Sequence, residues 1–491
     1  MKPLSYLLYG AFWFILLLSG IRLQHYDLQE NSTGWFQAKR ALFPHLEMYT
    51  DRWTYEPGDT VQVFGSSFPA KEGTLRLQHI LPGESNIIEA SFSLSTQKVA
   101  DSVSIKGCQW NASYAVILPD SIQTGWFILS LSTRSAQTHT SVFIKPKERE
   151  KDVAMLLSTN TWNAYNHWGG YSLYTRNKST AVSGNRPHPL ADPFLPSTLV
   201  HHQWYYQSAE KDTYVALLLQ EEGVPFDAYS MDELEIADST LFKYPVWIIS
   251  THSEYWSENM LIHLNKFLDQ GGSLISLSGN TAAYISYVNH LDRTLSVDKR
   301  DDQLWYGADT MGLKPFGTRT HMGSFQQYAP YEVEVDSSWI FSGTGLQKGD
   351  LFGAKSLTYD YFYSHASAGQ LIRGLLSKGK TGAASGMEVD FVDPERTLPG
   401  WTTVASGKNP STLGMGEVYP EKLQADKWNS LGGADMGYYL TEGGGLVFNA
   451  SSLAFTGAIP LDTSIQQILR NVFQKGLAIS KQQSLEKQAS P

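Results

Sequence analysis

Three short apolar runs constrain the fold of this chain more than any other feature of its sequence. They cover residues 152–158 (DVAMLLS), 245–250 (PVWIIS) and 273–277 (SLISL). Short runs that are apolar on both faces are typical of strands buried inside a parallel sheet. Because segments with helical spacing lie between them, the sequence predicts an α/β domain with a doubly wound parallel sheet over residues 148–480.

The segments around these runs carry clear signals for the beginning and end of helices. Helices are predicted at residues 212–222, 232–236, 257–270 and 463–478, and further strands at residues 226–229 and 445–448. Gly223 ends the first helix, Ser257 can cap the third, and Gly271 follows its last turn, as these residue types favour helix termini. Residues 290–440 are less regular, and we interpret them as a long insertion over the sheet.

Residues 48–147 have a different pattern and are predicted to form an all-β domain. Short alternating runs occur at residues 60–64, 74–78, 88–94, 113–118 and 126–131. Turn residues separate them at near-regular spacing, which is typical of an immunoglobulin-like sandwich. The charged segment at 145–151 (KPKEREK) indicates the boundary with the α/β domain, and residues 481–491 are predicted to be a polar, loose tail.

The N-terminus predicts that the chain leaves the cytoplasm. After Lys2, residues 3–21 carry no charge, and their length is close to the roughly 20 residues that span a bilayer. Residues 1–21 are therefore predicted to be a signal anchor or a signal peptide, followed by a polar stalk at 22–47. We expect an extracytoplasmic protein that is membrane-anchored or secreted.

Charge and cysteine content exclude several classes of function. The net charge is −10, and no basic block is long enough to follow a phosphate backbone, so no nucleic-acid partner is predicted. Cys108 is the single cysteine, which excludes an intrachain disulfide and a zinc site built on several thiolates. Because Cys108 lies in the predicted sandwich, thiol chemistry in the α/β domain is excluded as well.

Polar clusters follow the three apolar runs, at residues 158–166, 252–256 and 278–280. The carboxyl ends of parallel strands meet at one sheet edge, where ligands bind, so we expect these clusters to converge. The candidate catalytic residues are His252, Glu254 and Glu388, and the candidate substrate-binding residues are Asn160, Trp162, Tyr165, Asn166, Arg186, Trp256 and Asn280.

Two kinds of function remain open from the residues themselves. The chain has no G-x-S-x-G elbow, Walker A loop or H-E-x-x-H motif, so metal-assisted or purely binding chemistry is left. Phenolate oxygens suit a hard ion such as ferric iron, which makes Tyr255 and Tyr214 candidate ligands. The alternative is a non-catalytic glycan-binding protein with aromatic platforms at Trp162, Trp168, Trp204 and Trp256.

Several motifs, taken together, resemble the large (beta) subunit family of N,N-dimethylformamidase. They are TWNAYN at 161–166, GGYSLY at 169–174, Val182-Ser183, Arg186-Pro187, HSEYWS at 252–257, Gly279-Asn280, GMEVD at 386–390 and ADM at 434–436. The resemblance covers about residues 150–475. It implies a class I glutamine amidotransferase-like domain without the usual cysteine.

The resemblance also implies hydrolysis of a small N-substituted amide by a mononuclear iron, held by two tyrosines and a glutamate. The tyrosines correspond to Tyr255 and Tyr214. Ser342 stands where related sequences can carry glutamate, and Glu388 is the nearest carboxylate in a matching motif, so Tyr214, Tyr255 and Glu388 are the predicted metal ligands. A small partner subunit is implied too, and a homo-oligomer is left open.

Overall fold

The structure is a computed structural model of the chain. It describes residues 32–83, 86–100, 102–174, 180–194, 209–297, 313–321, 328–358, 382–392, 397–408 and 433–489. The predicted signal or anchor segment, the first part of the stalk and Trp204 lie outside the described residues. Within the described ranges, no helix is both long and apolar enough to cross a bilayer.

Residues 45–144 form two β-sheets around a shared core. The strands are β1 His45–Thr50, β2 Thr54–Tyr55, β3 Thr60–Phe68, β4 Lys71–His79, β5 Asn86–Leu94, β6 Tyr114–Ile117, β7 Gly125–Ser132 and β8 Gln137–Ile144. One sheet has the order β1-β3-β6, and the other has the order β2-β8-β7-β4-β5. Val61 and Val63 of the first sheet share a buried cluster with Leu75 and Leu129 of the second, because alternate side chains of each strand point inward.

Two short helices accompany these sheets: α1 Ser32–Leu42 and α2 Val103–Lys106. Helix α1 falls in the predicted stalk, yet it packs on the protein. Its Arg40 is buried, donates to Glu47 Oε2 at 2.8 Å and lies over the rings of Trp110 and Trp168. The described part of this segment is therefore docked by a cation–π and ion-pair contact.

The C-terminal part of the chain is built on a mixed nine-stranded sheet. Its strands, in spatial order, are β11 Phe226–Ser230, β9 Val153–Leu157, β12 Val246–His252, β14 Ser273–Gly279, β26 Leu446–Asn449, β25 Asp435–Leu440, β24 Thr402–Gly407, β20 Tyr331–Val333 and β21 Leu351–Phe352. The first five are parallel, and the other four join them through antiparallel pairs.

This topology corrects the predicted fold class. The prediction of a doubly wound, amidotransferase-like parallel sheet is wrong, because residues taken for an insertion over the sheet extend it with antiparallel strands instead. The turn between β25 and β26 shows the physical reason. Thr441 N donates to Gly445 O at 2.8 Å, and so short a connection can join only an antiparallel pair.

The remaining elements surround this sheet. The helices are α3 Thr159–Tyr165, α4 Ala209–Glu221, α5 Asp232–Glu235, α6 Glu258–Asp269, α7 Leu313–Phe316 and α8 Thr463–Ala489, with 3-10 turns at Pro189–Ala191, Leu241–Lys243, Trp339–Phe341 and Thr456–Leu461. The short strands are β10 Ala181–Ser183, β13 Tyr255–Trp256, β15 Tyr284–Ile285, β16 Tyr287–Asn289, β17 Thr294–Ser296, β18 Arg319–His321, β19 Tyr328–Ala329, β22 Ser385–Gly386 and β23 Val389–Phe391. Helix α6 is capped by Ser257, whose Oγ accepts from Met260 N, and α8 continues beyond residue 478.

The central strands are buried on both faces, which explains their continuous apolar sequences. In β12, Val246 and Ile248 belong to one buried cluster, whereas Trp247 and Ile249 belong to another. The strand therefore has a core on each side.

The sandwich packs directly against one face of the large sheet. Trp53 and Trp126 of the sandwich lie in the same buried cluster as Met155 of β9. Thr54 Oγ1 and Ser230 Oγ are 2.7 Å apart in a buried hydrogen bond between the two parts. Both the apolar cluster and polar contacts therefore cross the boundary.

Candidate functional site

The carboxyl ends of β12 and β14 place the polar clusters side by side. The two strands are parallel and pair His252 with Gly279, so the residues that follow each strand leave the sheet at one edge. Helix α3 begins after the neighbouring strand β9, and its Thr161 Oγ1 accepts from Glu254 N at 3.0 Å. The three clusters thus share one edge, where parallel sheets commonly bind ligands.

A histidine and two glutamates form the centre of this region. His252 Nε2 lies 2.7 Å from Glu388 Oε2 and 3.8 Å from Glu254 Oε2. The three side chains are buried, and one ligand atom from each lies within 4.8 Å of the others. Neither ring nitrogen of His252 makes a hydrogen bond within the described residues, so the short contact with Glu388 is an ion pair without hydrogen-bond alignment.

One amide side chain holds the two carboxylates together. Asn280 Nδ2 donates to Glu254 Oε1 at 3.1 Å and to Glu388 Oε2 at 2.9 Å. A single amide group therefore fixes the relative position of two carboxylates that come from distant parts of the sequence. Hydrogen bonds to charged acceptors are the stronger kind, so this bridge is well suited to keep like charges close.

Tyrosines cover the other side of Glu254. The Tyr174 hydroxyl lies 2.9 and 2.7 Å from the two carboxylate oxygens of Glu254, and the Tyr255 hydroxyl donates to that of Tyr174 at 2.7 Å. The ring of Tyr165 stacks on Tyr174 with 4.0 Å between the ring centres. The carboxylate thus has phenol oxygens close by.

The backbone adopts costly conformations at this site. Thr251, Asn280 and Met387 have φ angles of 57°, 55° and 65°, values that are uncommon outside glycine. Thr251 precedes His252, and Met387 precedes Glu388. Only glycine fits at position 279, because a Cβ there would lie 2.2 Å from the carbonyl oxygen of Glu388. Backbone strain of this kind concentrates at functional sites.

Burial and charge shift the pKa values of the cluster. Burial lowers the pKa of His252, but the charge of Glu388 outweighs this effect and raises it above its ordinary value. Burial, followed by the charge of Glu254, holds the pKa values of Tyr174 and Tyr255 well above 10. The phenols are therefore neutral donors unless a cation is bound nearby.

Comparison with known families agrees with these motifs. The family model described as N,N-dimethylformamidase beta subunit-like, C-terminal, matches residues 60–467. The chain belongs to this family. It is accordingly a dimethylformamidase-like protein, which is consistent with an amide hydrolase. No curated protein matches the chain in sequence.

Two solved structures match parts of this dimethylformamidase-like protein with low scores. The mmIFT52 N-terminal domain matches at 12% identity with a TM-score of 0.25, covering 54% of this chain and 90% of that chain. A DUF4784 family protein from Bacteroides caccae matches at 14% identity with a TM-score of 0.13, covering 22% and 25%. Such low scores support no conclusion about fold or function.

Six of the predicted site residues meet at the cluster around His252. They are His252, Glu254, Tyr255, Glu388, Tyr165 and Asn280. Sequence reasoning assigned no role to Tyr174, although it ends the GGYSLY motif that carries the family resemblance. The sequence places Tyr174 nine residues after Tyr165, in a matching motif, and this position could have marked it as a candidate site residue.

Tyr214 is the second tyrosine of the predicted ligand set. It lies on α4, where its hydroxyl donates to Glu210 Oε1 at 2.8 Å and its ring faces the ammonium of Lys211. The hydroxyl of Tyr255 donates to that of Tyr174 at 2.7 Å. Tyr214 therefore stays a predicted ligand, and the structure adds Tyr174 as a further candidate.

Two predicted substrate-binding residues are occupied by the backbone of their own loop. Arg186 is fully buried and donates to the carbonyl oxygens of Ser183 at 2.9 Å and of Trp168 at 2.6 Å. Asn166 Nδ2 donates to Pro187 O at 2.9 Å. These polar groups order the segment after α3 and leave little capacity for a substrate.

The other predicted binding residues have core positions. Trp162 and Trp256 are 1% and 0% exposed, so neither presents a face to a sugar. The Trp256 indole donates to Ser253 O at 2.9 Å, and Asn160 Nδ2 contacts Tyr255 O at 3.4 Å. Trp168 is half-buried and donates to Glu47. Of the predicted aromatic platforms that the structure describes, Trp168 lines an open pocket together with Phe36 and Phe43, whereas Trp162 and Trp256 are in the core.

Proposed function

We propose that this protein hydrolyses the C–N bond of a small amide, with iron bound by Glu254 and neighbouring tyrosines, beside His252 and Glu388. The observation that carries the proposal is the buried grouping of these residues with the Tyr174 hydroxyl on Glu254. Like-charged carboxylates are costly to bury together without a compensating cation. The site lies at the edge of the sheet where parallel strands commonly bind ligands.

The side chains present fit an iron ion. Glu254 and Tyr174 would hold it, together with a second tyrosine, either Tyr255 or Tyr165. These are hard oxygen donors, and the unbonded nitrogens of His252 lie next to them. The family resemblance implies the same kinds of donor, two tyrosines and a glutamate, although the sequence motifs assign them to Tyr255, Tyr214 and Glu388. A bound iron ion would supply Lewis acidity, which polarises an amide carbonyl.

The His252–Glu388 pair would move the proton. His252 Nε2 and Glu388 Oε2 are 2.7 Å apart, and the charge of Glu388 outweighs burial and raises the pKa of His252. Glu388 Oε2, oriented by Asn280, would accept a proton from the attacking water, and His252 would return one to the leaving amine. Both steps need groups that are buried and fixed, as these are.

The surrounding aromatic rings favour a small, weakly polar substrate. Tyr255 stacks on Tyr284 with 5.0 Å between ring centres, and Tyr165 stacks on Tyr174. These rings would exclude water from the reacting atoms, which strengthens electrostatic contacts there. A small N-substituted amide would suit such a lining.

Metal content and absorption of the purified protein test this proposal. We expect about one iron per chain and a visible tyrosinate-to-iron band, because phenolate ligation produces such a band when the ion lowers the phenol pKa. Tyr174→Phe should remove the band, and Glu254→Gln should remove the metal. Tyr287→Phe is the matched control, since Tyr287 is 76% exposed and far more accessible than the site tyrosines.

Two further variants identify the second tyrosine. Tyr255→Phe and Tyr165→Phe should differ, with the band shifted strongly in the variant that loses a ligand and little in the other. Hydrolysis of small N-substituted formamides should fall with iron occupancy. Protein that stays metal-free after iron is supplied, and that cleaves no small amide, would overturn the proposal.

We also propose that this protein acts outside the cytoplasm with a small partner subunit. The apolar N-terminus supports a membrane-anchored or secreted, extracytoplasmic protein. The family resemblance supports a small partner subunit. Fractionation of cells expressing the full chain, followed by mass measurement of the purified complex, tests both statements. A cytoplasmic monomer would contradict them.

A further inference from the structure

We infer that Asp212 is a positioning residue that holds Thr251 in its left-handed conformation and thereby directs His252 toward Glu388 and Glu254. The inference rests on the proposed function, in which His252 moves a proton. Asp212 lies in the first turn of α4, on a different element from every residue of the cluster. It would act through Thr251, without touching the substrate.

Asp212 binds the end of β12 through two hydroxyls. Its carboxylate accepts a hydrogen bond from Ser250 Oγ, and Thr251 Oγ1 donates to Asp212 Oδ1 at 2.8 Å. The side chain is 1% exposed, and no described lysine or arginine pairs with it. Its other oxygen, Oδ2, has no hydrogen-bond partner among the described residues. A buried carboxylate without a cation is costly, so packing alone gives no reason for it.

The conformation of Thr251 gives the buried carboxylate of Asp212 a structural role. Its φ angle of 57° is a genuine outlier for a β-branched side chain. The hydroxyl that Asp212 holds also lies 3.2 Å from Thr456 Oγ1, so Thr251 is clamped from two sides. Because Thr251 is the last residue before His252, its φ and ψ angles set the direction in which the imidazole leaves the sheet.

The geometry at His252 tolerates little movement. Its Nε2 lies 2.7 Å from Glu388 Oε2 and 3.8 Å from Glu254 Oε2. A small rotation of the ring would therefore replace the contact with Glu388 by one with Glu254, or break both contacts. Gly279, which pairs with His252 on the neighbouring strand, approaches the Glu388 backbone too closely to admit a Cβ. Contacts at Gly279 and at Asp212 therefore both restrict this segment.

A rescue experiment separates positioning from general stability. In Asp212→Ala, Thr251 should relax, and the His252 ring resonance in ¹³C-histidine-labelled, metal-free protein should move. The resonance is assigned with His252→Gln. Adding Thr251→Gly should return it, because glycine adopts positive φ without the clamp. Asp227→Ala is the control, since Asp227 is a similarly buried carboxylate on β11 that contacts Tyr244 and Lys151 instead of the β12 end.

Activity provides the second measurement. In Asp212→Ala, kcat should fall by about 100-fold with little change in KM, because a displacement of about 1 Å in a reacting group has effects of this size. The double variant should recover most of the loss. If Asp212→Ala does not fold, Asp212→Asn keeps one acceptor oxygen and should show a smaller shift of the same resonance.

Two outcomes would overturn the inference. The first is an unmoved His252 resonance in folded Asp212→Ala or Asp212→Asn protein, and the second is no recovery when Thr251→Gly is added. The resonance is measured without metal or substrate. A protein that binds no iron and cleaves no amide would therefore refute the proposed function, while the labelled-histidine spectra would still decide the role of Asp212.

Discussion

Replacing Arg186 with methionine should destabilise the protein strongly, although the sequence predicts a substrate-binding role for this residue. The side chain is fully buried, and burial lowers its pKa to about 9. Its guanidinium donates to Ser183 O at 2.9 Å, to Trp168 O at 2.6 Å and to Tyr171 O at 3.0 Å. Methionine fills a similar volume but satisfies none of these carbonyl groups.

The magnitude follows from these three bonds, which are the shortest of the four that the Arg186 guanidinium makes. Each hydrogen bond from a charged donor contributes about 1.5–3 kcal/mol, so their loss costs roughly 4.5–9 kcal/mol. Methionine also removes the penalty of burying the guanidinium charge, which is several kcal/mol. The net loss in the free energy of unfolding should therefore be about 3–5 kcal/mol.

Urea denaturation followed by tryptophan fluorescence measures this loss. Arg76→Met is the control, because the Arg76 side chain is 48% exposed and its pair with Glu89 should contribute less than about 1 kcal/mol. If Arg186→Met keeps its stability to within about 1 kcal/mol but loses affinity for an amide, the structural reasoning is refuted. Arg186 would then bind substrate, as the sequence predicts.

Three further predictions concern stability. Trp256→Ala should cost about 3–5 kcal/mol in urea denaturation and leave the signal on a glycan array unchanged; a selective loss of glycan binding would contradict its core role. Because burial raises the pKa of Asp212 to about 6 and of Asp390 to about 7, the folded state holds protons that the unfolded state releases, and stability should fall as pH rises from about 4 to about 7. Asp212→Asn should remove up to about 3 kcal/mol of that fall, and an unchanged slope would argue against the raised pKa. Gly279→Ala should push Glu388 away and lower the melting temperature. An unchanged melting temperature with intact iron binding would show that the backbone can shift to make room for the added methyl group.

The sequence predicts the parallel half of the large sheet because its signals are local. Each buried strand is a continuous apolar run, and Ser257 caps α6 as expected, with Oγ accepting from Met260 N. The antiparallel half has no such signal. Strands such as β20 and β21 are very short, and their place in the sheet depends on pairing with distant residues, which periodicity does not reveal.

The site was predictable in position but not in detail. The rule that ligands bind at the carboxyl ends of parallel strands leads to His252, Glu254 and Asn280. The same rule cannot tell a polar group that faces the cleft from one that orders its own loop, as Arg186 does. Tyr174 acquires its role only when the chain folds back onto Glu254, a contact 80 residues apart in sequence.

The contacts between the sandwich and the large sheet affect how this protein unfolds. Trp53 and Trp126 share a buried cluster with Met155, so separating the two parts would expose indole rings. It would also break the hydrogen bond between the hydroxyls of Thr54 and Ser230. The charged segment at 145–151 therefore separates two sequence patterns, but it does not separate two parts that unfold independently. A protease that cuts there should release no stable fragment, and calorimetry should record a single cooperative transition for both parts.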